Sequence, residues 1–195
     1  MDQKRSEDLR IQRTHRLLLS ALVDLLSEKS FSDLRVKDMP AAWFAGVHRS
    51  TFYTHFEDKS HLLLFGIQEL MDDLIHSGDD RSYPAFLHSV YRILKYFQRN
   101  QQEYTRLLLD PKDALVQRLF HDEFSRALKS YLRDLHPTMP AREIDIISQF
   151  FAGGFLSLVT QWLSEFPDRS AKEMAEELAP LTFRVFLLPK PKDKA

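Results

Sequence analysis

The sequence has 195 residues, 44% hydrophobic and 28% charged, with 27 Lys+Arg against 28 Asp+Glu for a net charge of −1. The absence of Cys excludes disulfide scaffolds and thiolate-held zinc or iron–sulfur sites, and a chain of this size buries roughly 70% of its unfolded surface without such staples. Near-neutrality argues against a protein that coats phosphate throughout, but net charge sums the whole chain, whereas groove binding needs only a local excess. Such an excess opens the chain: Lys4, Arg5, Arg10, Arg13 and Arg16 face only Asp2, Glu7 and Asp8, a pattern that a solvated helix start also produces. No uninterrupted apolar run approaches the roughly 20 residues needed to cross a bilayer, and no cleavable leader pattern is recognised. The expectation is a cytoplasmic protein without membrane contact.

Hydrophobic spacing is helical nearly throughout. From Ile11 onward, Leu18, Ala21, Leu22, Leu25 and Leu26 form the stripe of an amphipathic helix, predicted from Ser6 to Lys29. Pro40 is tolerated only in a first turn, so a short second helix is placed from Met39, with Asp38 as its N-cap and Gly46 as its end. A third covers Arg49–Phe56. A fourth opens after Asp58 and runs His61–Ser77 until Gly78-Asp79-Asp80 breaks it. Ser82 caps a helix over Pro84–Asn100, a shorter one covers Gln102–Leu109, and Asp110-Pro111 opens a long helix to Leu135. After the break His136–Pro140, a helix over Arg142–Phe166 follows. Ser170 and Glu173 form the capping box of a last helix to Leu187, kinked at Pro180, and the tail from Pro189 is expected to be flexible. No strand alternation appears, so the predicted fold is all-α with about nine helices.

Catalytic signatures are missing: there is no Gly-x-Ser-x-Gly elbow, no Gly-rich phosphate loop and no His-Glu-x-x-His. Gly153-Gly154 lies in an apolar helix, where it allows close helix approach. His121-Asp122-Glu123 points in different directions around its helix, so no metal or other cofactor is expected. A small helical enzyme ranks last among the possibilities because no nucleophile, base or metal ligand can be assigned.

The informative stretch is Phe31 to Leu63. Two short helices around Ala45-Gly46-Val47 have the layout of a helix-turn-helix, whose second helix can enter a major groove about 12 Å wide. Arg49 and Ser50 at its start can reach base edges or phosphates, Thr51, Tyr53 and His55 offer donors, and Lys59 is a phosphate point charge. Phe52 and Phe56, four residues apart, are the inward anchors.

The order Ala45-Gly46-Val47-x-Arg49-Ser50-Thr51-Phe52-Tyr53-x-His55-Phe56-x-x-Lys59-x-x-Leu62-Leu63, preceded by Ala21 and Leu25, closely resembles the N-terminal DNA-binding domain of TetR-family transcriptional regulators. The resemblance covers residues 10–65. It implies an operator-facing set at Arg49, Ser50 and Thr51 and a phosphate-holding set at Tyr53, His55 and Lys59; with His48 at the helix start, these seven are the candidate DNA contacts. It also implies a helical regulatory domain that dimerises through its last two long helices and usually binds a small effector. The domains are accordingly placed at 1–62 and 63–188, with a tail at 189–195.

The sequence departs from that pattern in several places. Ser30 stands where the family usually ends its first helix with Gly, Arg35 where a Thr caps the second, and His48 where Ser or Asn caps the recognition helix. The stretch between Asp38 and Ala45 is two residues longer than usual and contains Pro40, Trp43 and Phe44; two extra residues re-phase a helix by about 200°. This leaves two readings open: a homodimeric repressor released from double-stranded operator DNA by a small-molecule effector, or a co-regulator of the same fold that acts through protein partners with weakened or lost operator binding.

In the C-terminal part, Tyr91, Tyr104, Phe120, Phe124 and Phe151 are the candidates for lining an effector pocket between helices. The helix carrying Ile147, Phe151, Phe155, Leu158 and Trp162 is apolar around most of its circumference, as expected of an isologous dimer face.

Overall fold

The computed structural model describes residues 2–39, 47–75 and 82–186. Within them the helices are α1 (Asp2–Leu26), α2 (Arg49–His55), α3 (Lys59–Ile75), α4 (Tyr83–Arg99), α5 (Gln101–Leu109), α6 (Ala114–Leu135), α7 (Ala141–Glu165) and α8 (Ala171–Phe186), with 3-10 turns at Val36–Asp38 and Pro111–Asp113. No strand occurs among the described residues, so the fold is all-α as read from the spacing. Except for Met39, the predicted second helix from Met39 to Gly46, with Trp43 and Phe44, lies outside the described residues, as do the break at 78–80 and the tail.

Local chemistry explains where the elements start. Ser82 Oγ accepts the Ala85 N–H (3.4 Å) above Pro84, and Asp58 Oδ1 accepts those of Ser60 and His61 at 2.7 and 2.9 Å. Ser170 and Glu173 make the reciprocal capping box, at 3.2 Å one way and 2.7 Å the other. Asp38 corrects its predicted role. It closes the 3-10 turn, and its carboxylate reaches back to the Arg35 N–H at 3.1 Å; the turn therefore starts after Arg35, and Asp38 is not an N-cap for a helix starting at Met39. α8 continues past Pro180.

A continuous apolar core runs the length of the molecule, from Leu18, Leu22, Phe52 and Leu62 to Leu94, Leu108, Val159 and Trp162. α6 packs along α7 and α4 along α8, while α3 touches α1, α4 and α6. α3 thus links the N-terminal helices to the C-terminal bundle. Removing a fully buried anchor such as Phe52 would cost about 3–5 kcal/mol.

Candidate nucleic-acid interface

α2 has only seven residues, too few to persist alone, so tertiary contacts must hold it. Phe52 and Phe56 are buried and 5.9 Å apart between ring centroids, and Phe56 packs on Phe65 of α3 and His15 of α1 at 5.5 and 5.0 Å. With that face pinned, Arg49, Ser50, Tyr53 and Thr54 stand exposed on the other, and Thr51 is half-buried at its margin. The Arg49 guanidinium lies 5.6 Å from the centre of the Tyr53 ring, close enough for a cation–π contact. His48 is the extended N-cap, exposed, and its imidazole makes no capping bond. Thr54 escaped the sequence reading. Its hydroxyl donates back to the Ser50 carbonyl at 3.0 Å, but its place on the outer face follows from the Phe52/Phe56 spacing.

Two predicted DNA contacts are placed differently from the rest. His55 is half-buried and stands edge-on to His15, with centroids 5.0 Å apart and planes at 86°. Burial first, and His55 second, lower the pKa of His15, while Glu69 opposes them; the His15 Nε2 is buried without a partner among the described residues. Lys59 was expected to be a phosphate point charge. Its ammonium instead donates to the carbonyls of Phe31, Ser32 and Leu34 at 2.5, 3.0 and 2.7 Å, which uses all three of its N–H groups. Burial lowers its pKa despite Asp113, Asp33 and Asp58. Lys59 therefore stabilises the loop after α1.

The same loop is held from the other side by the C-terminal part. Asp113 is 2% exposed, and its two carboxylate oxygens accept the backbone N–H groups of Phe31 and Ser32, both at 2.8 Å. Ser30 donates to Asp110, so the residue that departs from the expected Gly makes a bond that Gly could not. That bond and the Lys112 N–H hold the Asp110 carboxyl below its ordinary range. Asp110 was read only as a helix cap; nothing in the sequence pairs it or Asp113 with residues some 80 positions earlier.

Of the predicted pocket residues, only Tyr104 and Phe120 line the cavity of about 110 Å³ that is bounded also by α1 and α3. Tyr91 sits beside Lys95 and His88. Phe124 is stacked on Phe155 at 4.7 Å, and Phe151 packs with Leu128, Leu132 and Ile144. These three therefore do not converge with Tyr104 and Phe120.

The predicted dimer residues also separate. Trp162 is 2% exposed and donates its indole N–H to the Arg169 carbonyl at 3.0 Å, and Phe155 is engaged by Phe124, so both pack within the protomer. Ile147, Phe151 and Leu158 are half-buried. The open apolar face of α7 instead centres on Ile146 and Phe150, 60% and 75% exposed, beside Gly154, where an added Cβ would meet nothing within 4 Å. Gly153-Gly154 therefore serves no close approach inside the protomer. By length and composition α7 is apolar enough to cross a membrane, but its inner side, with Ile144, Ser148, Ala152 and Val159 buried, makes it a core helix of the bundle.

A short helix with an exposed polar face, held by aromatic anchors on a helical bundle, is the architecture of a DNA-binding transcriptional regulator, and the family match assigns the same class. The family described as the transcriptional regulator C-terminal region of the TetR type matches residues 86–183, half of the sequence, and the chain belongs to the TetR family of transcriptional regulators. Among solved structures it is similar to a TetR transcriptional regulator from Streptococcus agalactiae, 27% identical over 91% of this chain and 98% of that one, with a TM-score of 0.60. It also shares its fold with the dihydroxyacetone kinase operon activator DhaS, at 18% identity, 89% and 96% coverage and a TM-score of 0.63. Thermus thermophilus FadR, a repressor solved with lauroyl-CoA, matches at 17% identity, 93% and 99% coverage and a TM-score of 0.54. No curated protein is matched.

Proposed function

We propose that this regulator is a homodimeric, cytoplasmic repressor that binds double-stranded operator DNA through α2 and is released by a small-molecule effector. The observation that carries the reading is the outer face of α2, where Arg49, Ser50 and Tyr53 are exposed while Phe52 and Phe56 hold the helix from beneath. Arg49 and Ser50 at the helix start read base edges; Thr51 borders them, and Tyr53 and His48 meet the phosphates on either side. His55 acts mainly through its packing on His15, and Lys59 through the loop it holds.

Dimerisation supplies the second copy of α2. The Ile146/Phe150 face has the apolar character of an isologous interface, with the open space beside Gly154 able to receive a partner's side chain. Two copies of α2 then address half-sites about 34–36 Å apart, or a little more, on an inverted repeat. DhaS is described as an activator and FadR as a repressor, so the fold is compatible with either sign of control. We favour repression because a dimer seated in the groove occludes the sequence it covers. Selection of bound sequences from a random double-stranded pool tests the reading: it should return an inverted repeat. Failure to enrich any DNA, together with capture of a protein partner, would favour the co-regulator.

A further inference from the structure

The space among Phe86, Val90, Ile93, Phe124, Leu128 and Tyr131 is about 10 Å³, room for about one water molecule. A roomier space is the cavity of about 110 Å³ at the junction, with Leu19 and Leu22 of α1, Leu63 and Ile67 of α3, Leu107 of α5 and Phe120 of α6 among its walls. It is therefore bounded by the two helices against which α2 is pinned. Gly66 contributes to the same wall; a Cβ there would lie 2.6 Å from Leu19 Cδ2, so the Leu19 side chain would have to shift to admit one.

The polar groups at this cavity are Tyr96, Asn100, Glu103 and Tyr104. Asn100 spends its amide N–H on the Tyr96 carbonyl at 2.8 Å, which leaves its Oδ1 as an acceptor. The Glu103 carboxylate is the only charged group in the described lining, and no Lys or Arg pairs with it among the described residues. Burial, then Tyr96 and Glu103, push the Tyr104 phenol well above its ordinary range, so it stays neutral while facing negative charge. Aromatic faces, acceptors and one carboxylate around a greasy hollow suit a cation. A carboxylate or phosphate ligand would be buried there without a partner, at a large cost.

We propose that the junction cavity takes a compact organic cation, its apolar body against the leucines of α1 and α3 and its ammonium on the Glu103 carboxylate and the faces of Tyr96 and Tyr104. A dry cavity of about 150 Å³ accommodates benzene, and this one is smaller at about 110 Å³, so the body is a short branched alkyl chain. As the effector site, it rests on the functional reading above. The occupant touches α1 and α3 directly and shifts α2 only by binding two arrangements of those helices with different affinity.

Calorimetric titration of the full chain with isobutylamine, isobutanol and isobutyrate tests the site. The amine should bind about tenfold more tightly than the alcohol, and the carboxylate should not bind. Glu103→Gln should bring the amine down to the level of the alcohol and leave the alcohol unchanged. Val23→Trp should block both; Val23 lines the cavity and is 40% exposed, so the larger ring is compatible with folding. Absence of binding by all three compounds, equal binding of amine and carboxylate, or an amine affinity unmoved by Glu103→Gln or by Val23→Trp would overturn the proposal. DNA binding is read separately by anisotropy. A chain that binds the amine at this cavity but binds no DNA would refute the repressor and keep the cation site, whereas a chain that binds operator DNA but no amine would refute the cation site alone.

Discussion

Asp113 accepts the backbone N–H of Phe31 at 2.8 Å across a separation of 82 residues. Its other oxygen takes the Ser32 N–H at the same distance, so one buried carboxylate ties the start of α6 to the loop after α1. Bonds from N–H groups to a charged acceptor contribute about 1.5–3 kcal/mol each, and leaving buried donors unpaired is costly. Asp113→Ala should therefore destabilise the protein by roughly 3 kcal/mol. Asp113→Asn, which keeps one acceptor, should cost less. Urea denaturation followed by circular dichroism measures both.

Lys59 offers a sharper distinction because its two possible roles predict different salt behaviour. A lysine that neutralises a phosphate lowers the slope of log affinity against log salt by about one when removed. With its three donors on Phe31, Ser32 and Leu34, Lys59→Met should instead lower stability by about 1–2 kcal/mol and weaken DNA binding at every salt concentration with the slope unchanged. Anisotropy titrations across a salt series read the slope.

His15 makes stability depend on pH. Its folded pKa is lowered, chiefly by burial, so below the ordinary histidine value near 6.5 the unfolded chain binds a proton that the folded chain refuses. Stability is undiminished above that value and falls as the pH drops from it toward the lowered folded pKa. His15→Leu should flatten this part of the curve, measured as denaturation midpoints between pH 7.5 and 5.5 at constant ionic strength.

Phe150 and Trp162 lie on the same helix but should respond differently to substitution. Phe150→Glu places a charge on a side chain that is 75% exposed; it should leave the fold intact and convert dimer to monomer in light scattering. Trp162→Phe removes the indole bond to Arg169 and should lower stability by about 1–3 kcal/mol while leaving the dimer in place. Both variants remaining dimeric would move the interface off this face.

Periodicity and capping residues made the helices legible: Ser82, Asp58 and the Ser170/Glu173 box each start a helix where the sequence places one. The outer face of α2 was legible for the same reason, since Phe52 and Phe56 fix which side faces out. Partners far apart in the chain were not. Lys59 and Asp113 act on the loop after α1 through backbone groups, which carry no side-chain signature. Trp162 and Phe155 follow the same helical stripe as an interface residue would, and only the neighbouring Arg169 carbonyl and the Phe124 ring assign them inward. Of the aromatic residues of the C-terminal part, Tyr104 and Phe120 line the junction cavity while Tyr91, Phe124 and Phe151 do not, because apolar spacing identifies a buried face without saying whether the space behind it is filled.

The most direct test of the central claim is the affinity of the chain, and of Arg49→Ala, for the inverted repeat upstream of its own gene and for a scrambled duplex of equal length, by fluorescence anisotropy at several salt concentrations. The account predicts that the wild-type chain prefers the repeat by about 10³-fold or more, with two protomers per site, and that Arg49→Ala loses about 1–3 kcal/mol on the repeat and changes which half-site sequences it prefers. Equal affinity for both duplexes at every salt concentration would contradict it.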